Sequence, residues 1–252
     1  MRVLITNDDG IESPGLHALA LAASAEGLEV VVAAPASESS GSSASIIGAE
    51  HDGRIHMDRR TIDGLEVPCY AVHAAPALIA LIAAHGAFGP APDAVLSGVN
   101  RGANVGHAIL HSGTVGAALT GGSNGARGLA VSLDVGLHPQ THEWDAAARL
   151  SRRILRVLLE CAPGTVLNLN VPNHVSAGDL MPRPATLAPF GIVQTTATEH
   201  GEGEVRLTVA DLEGELDPRS DAAILATGHP TLTAITAVGE APIPEAIPTA
   251  GR

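Results

Sequence analysis

The chain has 252 residues, a formal net charge of −13 and aromatic residues at only 2%. The length fits one large α/β domain, or one domain with a smaller appendage, and is enough to bury most of the apolar surface. The acidic balance argues against non-specific nucleic-acid binding, which needs a basic surface. All 14 basic residues are Arg, so neither a Walker-type phosphate lysine nor a Schiff-base lysine can exist here.

Arg2 to Thr6 reads as a short buried strand, and Asn7-Asp8-Asp9-Gly10 follows at its C-terminal end. Burying adjacent carboxylates costs several kcal/mol per ion unless positive charge compensates. Within five residues the one Arg is Arg2, which the strand points away, so a bound metal ion is the simplest compensation. Gly10 lets the backbone turn sharply. Ser13 is a candidate N-cap with Pro14 at the first helical position, and the helix is expected to end near Gly27.

Glu29 to Ala34 is a second buried strand closed by Pro35, and a Ser-rich loop, Ala36 to Ser45, comes directly after it. Arg54 to Ile62 and Glu66 to His73 form a hairpin around the turn signal Asp63-Gly64. Pro76 opens an apolar helix, Ala77 to His85. Asp93 to Ser97 is another strand, and Gly98 to Gly113 a long Gly/Asn loop. A helix of small residues starts at Thr114, and Gly128 to Leu133 is a further strand.

From Gly136 the texture changes. Glu143 to Cys161 is the best amphipathic helix, with Arg149, Arg152, Arg153 and Arg156 expected on a solvated face. Val166 to Val171 alternates as a strand. Residues 182 to 216 read as an extended hairpin, Pro218 to Ala226 as a short helix and Thr231 to Val238 as a last strand. The Pro-containing tail from 241 to 252 reads as disordered. Cys69 and Cys161 are isolated and stand in no metal-ligand spacing, which suggests buried thiols in a reducing compartment. The N-terminus carries acids where a signal sequence needs an apolar run, and no apolar run reaches membrane-spanning length. A soluble cytoplasmic protein is expected, with no membrane or nucleic-acid partner.

Strands alternating with helices through residue 133 imply a mostly parallel sheet with helices on both faces. The expected fold is therefore α/β, a Rossmann-like three-layer sandwich with a C-terminal β-hairpin extension. Residues 1–135 would form the metal- and phosphate-binding core, and 136–240 would complete the fold. Ligands of such sheets bind beyond the C-terminal strand ends. Three polar loops fit that position: 7–10, 36–45 and 98–113.

In the third loop, glycines let the backbone approach a ligand closely, and Ser112-Gly113-Thr114 opens a helix whose N–H groups suit an anion. Asp8, Asp9, a Ser-loop hydroxyl and the Asn100 amide are hard oxygen donors, suited to Mg²⁺ or Mn²⁺ rather than Zn²⁺. A cation between these carboxylates and a phosphate would polarise the phosphoryl group and lower the pKa of a bound water. The reaction class is phosphate-ester hydrolysis, with metal-activated water preferred as nucleophile and an Asp8 or Asp9 carboxylate as the other possibility. His111 is a candidate general acid or a site-lining residue.

Four ordered motifs, NDDGIESPG (7–15), SSGSSAS (39–45), SGVNRGANVG (97–106) and SGTVGAA (112–118), together resemble the SurE family of nucleotidases and phosphatases. Weaker matches continue at LNLNVP (167–172) and SDAAILATGHPTLTAI (220–235). The resemblance implies a Rossmann-like fold, one divalent metal per subunit, hydrolysis of nucleoside 5′-monophosphates, and a homodimer or homotetramer formed through C-terminal extensions. By position it implies Asp8, Asp9, Ser40 and Asn100 as metal ligands, the two acids also being catalytic. Asn104, Ser112, Gly113 and Thr114 would hold phosphate. Asn7, Gly10, Gly41, Ser43, Ser45 and His111 would support or line the site. The chain departs from the family pattern in the second loop, where Ala34 to Gly41 replaces A-P-D-R-x-R-S-G without its Asp and two Arg. It departs again at Ala74 to Leu78 and at His107 to His111. Those departures leave a second reading, a nucleotide-binding protein of this kind with weak or lost turnover.

Overall fold

A computed structural model of the chain describes residues 1–48, 50–136, 139–189, 193–201, 204–211, 216–236 and 238–240. The tail expected to be disordered, 241–252, lies outside the described residues. In chain order the elements begin with β1 (Arg2–Thr6), α1 (Pro14–Ser24), β2 (Glu29–Pro35), β3 (Glu50–His51), β4 (Arg54–Ile55), β5 (Met57–Ile62) and β6 (Leu65–Val72). Then come α2 (Pro76–Ala84), β7 (Ala94–Arg101), α3 (Gly113–Ser123), β8 (Arg127–Asp134), α4 (Trp144–Leu158), β9 (Val166–Pro172) and β10 (Arg183–Pro184). The last are β11 (Val193–Gly201), β12 (Glu204–Asp211), α5 (Asp221–Ala226) and β13 (Thr231–Ile235).

Nine strands form one sheet in the order β10-β13-β9-β8-β7-β1-β2-β6-β5. Pairing is parallel except at β13 with β9 and at the edge pair β5 with β6. Three of its strands, β9, β10 and β13, come from beyond residue 135. Successive residues of a strand face opposite sides, and both sides are apolar. Val3 and Ile5 pack with Leu16 and Leu19 of α1 and Leu150 and Leu155 of α4. Leu4, on the other side, packs with Ile79 and Ala80 of α2 and Ala117 of α3. The result is the expected helix–sheet–helix sandwich. Of the extended hairpin expected over 182–216, β11 and β12 pair antiparallel as a separate two-stranded sheet, while Arg183–Pro184 join the main sheet as β10.

The chain enters at the centre of the sheet. It proceeds from β1 to β2 and β6 on one side, then returns to place β7, β8 and β9 on the other. The loops after β1 and β7 therefore diverge, and a crevice opens at this switch point.

Some details differ from the sequence-based expectation. The strand expected at 93–97 runs on to Arg101, with a register irregularity between Ser97 and Asn100. The loop expected at 98–113 also holds a 3₁₀ helix over Gly106–His111. The α4 arginines do more than solvate a face: Arg152 Nε and Arg156 Nε donate to Glu26 at 2.7 and 2.5 Å. These bonds fasten α4 to the chain just after α1 and hold the Glu26 carboxyl below its usual range. Of the two free thiols, Cys69 is buried but Cys161 only half-buried.

Candidate metal and phosphate site

The acidic loop is closed by its own first residue. Buried Asn7 donates from Nδ2 to Gly10 O at 3.0 Å, and Gly10 N–H donates to Asn7 Oδ1 at 3.1 Å. Gly10 adopts φ +101°, a conformation that L side chains rarely adopt. This turn fixes both following carboxyls at the end of β1. The Ser-rich loop is tied to it by Ser39 N–H donating to Asp8 O at 2.7 Å.

Asp8 is buried. Thr114 Oγ1 donates to its Oδ1 at 2.5 Å. Asp9 is half-buried and accepts the backbone N–H of Arg101 on Oδ2 at 3.2 Å. Burial pushes the Asp8 carboxyl up, while the Thr114 hydroxyl pulls it back. Burial, reinforced by the adjacent Asp8 charge, pushes Asp9 up to about 6.

The two acids share a cavity of about 350 Å³ with Glu38, Ser40, Gly41, Asn100, Arg101, Asn104, His111 and Ser112. Residues from all three predicted loops thus meet in one place. Asn100 Nδ2 donates to Gly102 O at 2.8 Å, so its Oδ1 is the atom left for a cation. Ser40 Oγ donates to Glu38 Oε1 at 2.6 Å. His111 lies at the end of the 3₁₀ helix with its ring exposed.

Several predicted residues take other positions. Thr114 and Gly113 stand behind Asp8 instead of on the cavity wall. The Thr114 hydroxyl is committed to the carboxylate, and a Cβ on Gly113 would come within 2.9 Å of Asp8 Oδ2. Thr114 therefore positions an acid where phosphate contact was expected. Ser112 does reach the cavity while capping α3, its Oγ accepting Val115 N–H at 3.1 Å. Ser43 bonds Leu110 O at 2.6 Å. Ser45 lines a neighbouring cavity of about 470 Å³, which shares Gly41 with the first.

The third loop is held from below by residues to which the sequence assigned no role. Asn104 N–H donates to Asn170 Oδ1, and Asn104 O accepts from Asn168 Nδ2 and Asn170 Nδ2, each at 2.8 Å. Its side chain donates to Ser132 Oγ at 2.8 Å. Asp221, fully buried, accepts Gly106 N–H at 2.8 Å and Ala188 N–H at 2.9 Å. Glu38, in the Ser-rich loop, also lines the cavity, although the sequence assigned it no role.

The site fits a hard divalent cation. Three carboxylates line one small cavity together with the Ser40 hydroxyl and the Asn100 amide oxygen, with Arg101 and His111 also in the lining. Buried acids in this arrangement are stabilised by a cation or by taking up protons. Ser42 Oγ, buried beside Gly113, has no hydrogen-bond partner among the described residues.

The profile of the family described as Survival protein SurE matches residues 3–189. A protein named 5′-nucleotidase SurE from Symbiobacterium thermophilum is 43% identical over 173 residues, covering 68% of this chain and 65% of that one. Another of that name, from Xanthomonas axonopodis pv. citri, is 38% identical over 175 residues, covering 69% and 64%. The chain thus spans just under two thirds of the length of these two relatives. The crystal structure of the SurE protein from Aquifex aeolicus superposes with a TM-score of 0.73 at 26% identity, covering 94% of each chain. With its acid pair at the switch point of a Rossmann-like sheet, the chain belongs to the SurE family.

Proposed function

We propose that the protein is a metal-dependent phosphomonoesterase that hydrolyses nucleoside 5′-monophosphates to nucleoside and phosphate. One observation carries the proposal: Asp8, Asp9, Ser40, Asn100, Asn104 and Ser112 line a single cavity of about 350 Å³ at the sheet's switch point. The relatives named 5′-nucleotidase SurE support the reaction class.

Asp8, Asp9, Asn100 Oδ1 and Ser40 Oγ would hold one Mg²⁺ or Mn²⁺. That ion would supply Lewis acidity toward the phosphoryl oxygens and toward an attacking water. The chain's own groups do the remaining work. Thr114 and the Arg101 N–H fix the two carboxylates, so little reorganisation is needed as charge develops. Ser112 Oγ and Asn104, set by the α3 N-terminus and the β9 asparagines, face the phosphate. The His111 ring lines the same cavity and is the candidate proton donor to the departing ribose oxygen. The adjoining cavity offers Ser37, Ser39 and Ser45 beside Val72 and Ala74, a mixed polar and apolar lining suited to a nucleoside.

A second reading, nucleotide binding with weak turnover, is favoured by one observation. Glu38 adds a carboxylate beside the phosphate position and accepts the hydrogen bond of Ser40 Oγ. Release of phosphate from AMP, GMP and p-nitrophenyl phosphate, with Mn²⁺ or Mg²⁺ and then with EDTA, separates the two. The first reading expects release that EDTA abolishes. Nucleotide binding without release across the panel selects the second.

Assembly as a homodimer or homotetramer through the β11–β12 hairpin belongs to the same proposal, and light scattering of the full chain and of one lacking 193–211 tests it. Among the described residues no helix is long and apolar enough to cross a membrane. A cytoplasmic setting remains part of the proposal, and cell fractionation tests it.

A further inference from the structure

The far edge of the sheet carries a second cluster of metal-ligating side chains, outside the site above. His56 immediately precedes β5 and His73 immediately follows β6. The two are cross-strand neighbours, with His73 N–H donating to His56 O at 3.0 Å. Asp58 is two residues along β5, which returns it to the same face as His56. Its carboxylate lies between the two rings, with Oδ1 3.2 Å from His56 Nε2 and Oδ2 3.7 Å from His73 Nε2. The imidazole centroids are 5.2 Å apart. One ligand atom from each residue lies within 4.8 Å of the others, the one such trio of His, Cys, Asp or Glu among the described residues. Arg60 Nη2, at 3.7 Å from Asp58 Oδ2, is the competing cation.

We propose that His56, Asp58 and His73 form a second divalent-cation site, taking a borderline transition metal such as Zn²⁺. Two imidazole nitrogens and one carboxylate match the ligand preference of Zn²⁺ and disfavour Mg²⁺. The side chains are 70%, 38% and 43% exposed, so rotation alone can draw the three atoms onto one ion. Three protein ligands leave a coordination position open to water. His73 also lines the cavity of about 470 Å³ together with Ser37, Ser39 and Gly41. An ion held there would pin the edge hairpin to the wall of the cavity beside the acidic site. The two sites differ in chemistry: the first offers oxygens, the second mostly nitrogens. The inference does not depend on the phosphatase reading.

The test is zinc titration of the full chain carrying Asp8→Asn and Asp9→Asn, which silences the acidic site. Calorimetry and histidine ring ¹⁵N spectra supply the readouts, so no activity is required. The expected result is one Zn²⁺ per chain, displacement of the ring nitrogen signals of two histidines, and no competition from excess Mg²⁺. Adding His73→Ala or Asp58→Asn should weaken binding at least tenfold, and His56→Ala with His73→Ala should abolish it. Melting in EDTA checks that these exposed substitutions leave the fold intact, and where His73→Ala fails that check His56→Ala replaces it. Zinc affinity and stoichiometry unchanged by the double alanine substitution, or absence of zinc binding before it, would overturn the inference.

Discussion

Asn170 closes two hydrogen bonds on the backbone of Asn104, accepting its N–H and donating to its carbonyl, both at 2.8 Å. A strand residue in the C-terminal half thereby sets the loop that carries a candidate phosphate contact 66 positions earlier. Asn170→Asp keeps the acceptor and removes the donor, bringing a second oxygen against the Asn104 carbonyl. An unpaired buried acceptor costs about 1–3 kcal/mol, and a buried charge adds to that. We expect a lower melting temperature and a higher KM for AMP, read by thermal melts and steady-state kinetics.

Thr114 holds Asp8 through a buried hydrogen bond. A bond to a charged group contributes about 1.5–3 kcal/mol. Thr114→Val keeps the shape and removes the donor, so the Asp8 carboxyl moves further up and protons compete better with the cation. Mn²⁺ affinity should fall about tenfold or more at neutral pH, measured by titration, with the far-ultraviolet spectrum unchanged.

The acid pair also sets a pH dependence. Asp9 is raised to about 6 in the folded chain, against about 3.9 when unfolded. The folded state therefore binds more protons. Its contribution to stability is fully present below about pH 4 and is lost as pH rises through about 6. Freed of metal, the protein should gain stability on acidification across that window. Asp9→Asn should melt a few °C above the parent at pH 8, with the gap closing near pH 4. Metal binding follows the opposite course, weakening as pH falls below 6. Thermal melts across pH, with EDTA and with Mn²⁺, check both signs.

Asp221 is fully buried and accepts three backbone N–H groups, those of Gly106, Ala188 and Ala222. Asp221→Ala orphans all three and releases the 3₁₀ helix from α5. The expected loss is about 1–3 kcal/mol for each buried donor left unpaired, measured by urea unfolding. Asp221→Asn, which keeps one acceptor oxygen, should lose less.

Much of this was legible in the sequence because it is local. A short apolar strand, two acids and a glycine announce the β1 loop within ten residues, and each polar loop directly follows a strand. What was not legible depends on contacts across the chain. Asn168, Asn170 and Asp221 occupy segments whose likeness to the family was visible, but their roles emerge only where β9 and α5 reach the third loop. The opening of α3 was read correctly as a helix N-terminus, yet nothing local says that Thr114 turns toward Asp8. Glu38 escaped because a serine-rich stretch gives no periodicity to orient one acid. Arg152 and Arg156 read as solvated because their partner, Glu26, lies over a hundred residues away. The Asp58 cluster joins two strand ends separated by a hairpin, a pairing fixed by register and not by spacing.

The proposed function requires three remote loops to assemble one cation-dependent phosphatase site. Its most direct test is phosphate release from AMP with saturating Mn²⁺, comparing the parent chain with Asp9→Asn and Asn100→Ala. The expected result is turnover by the parent and a loss of about a thousandfold or more in kcat/KM for Asp9→Asn, about 4 kcal/mol of transition-state stabilisation. Asn100→Ala should also lose activity, recovering partly at higher Mn²⁺. Turnover by Asp9→Asn within a few-fold of the parent, with both variants indifferent to Mn²⁺, would contradict it.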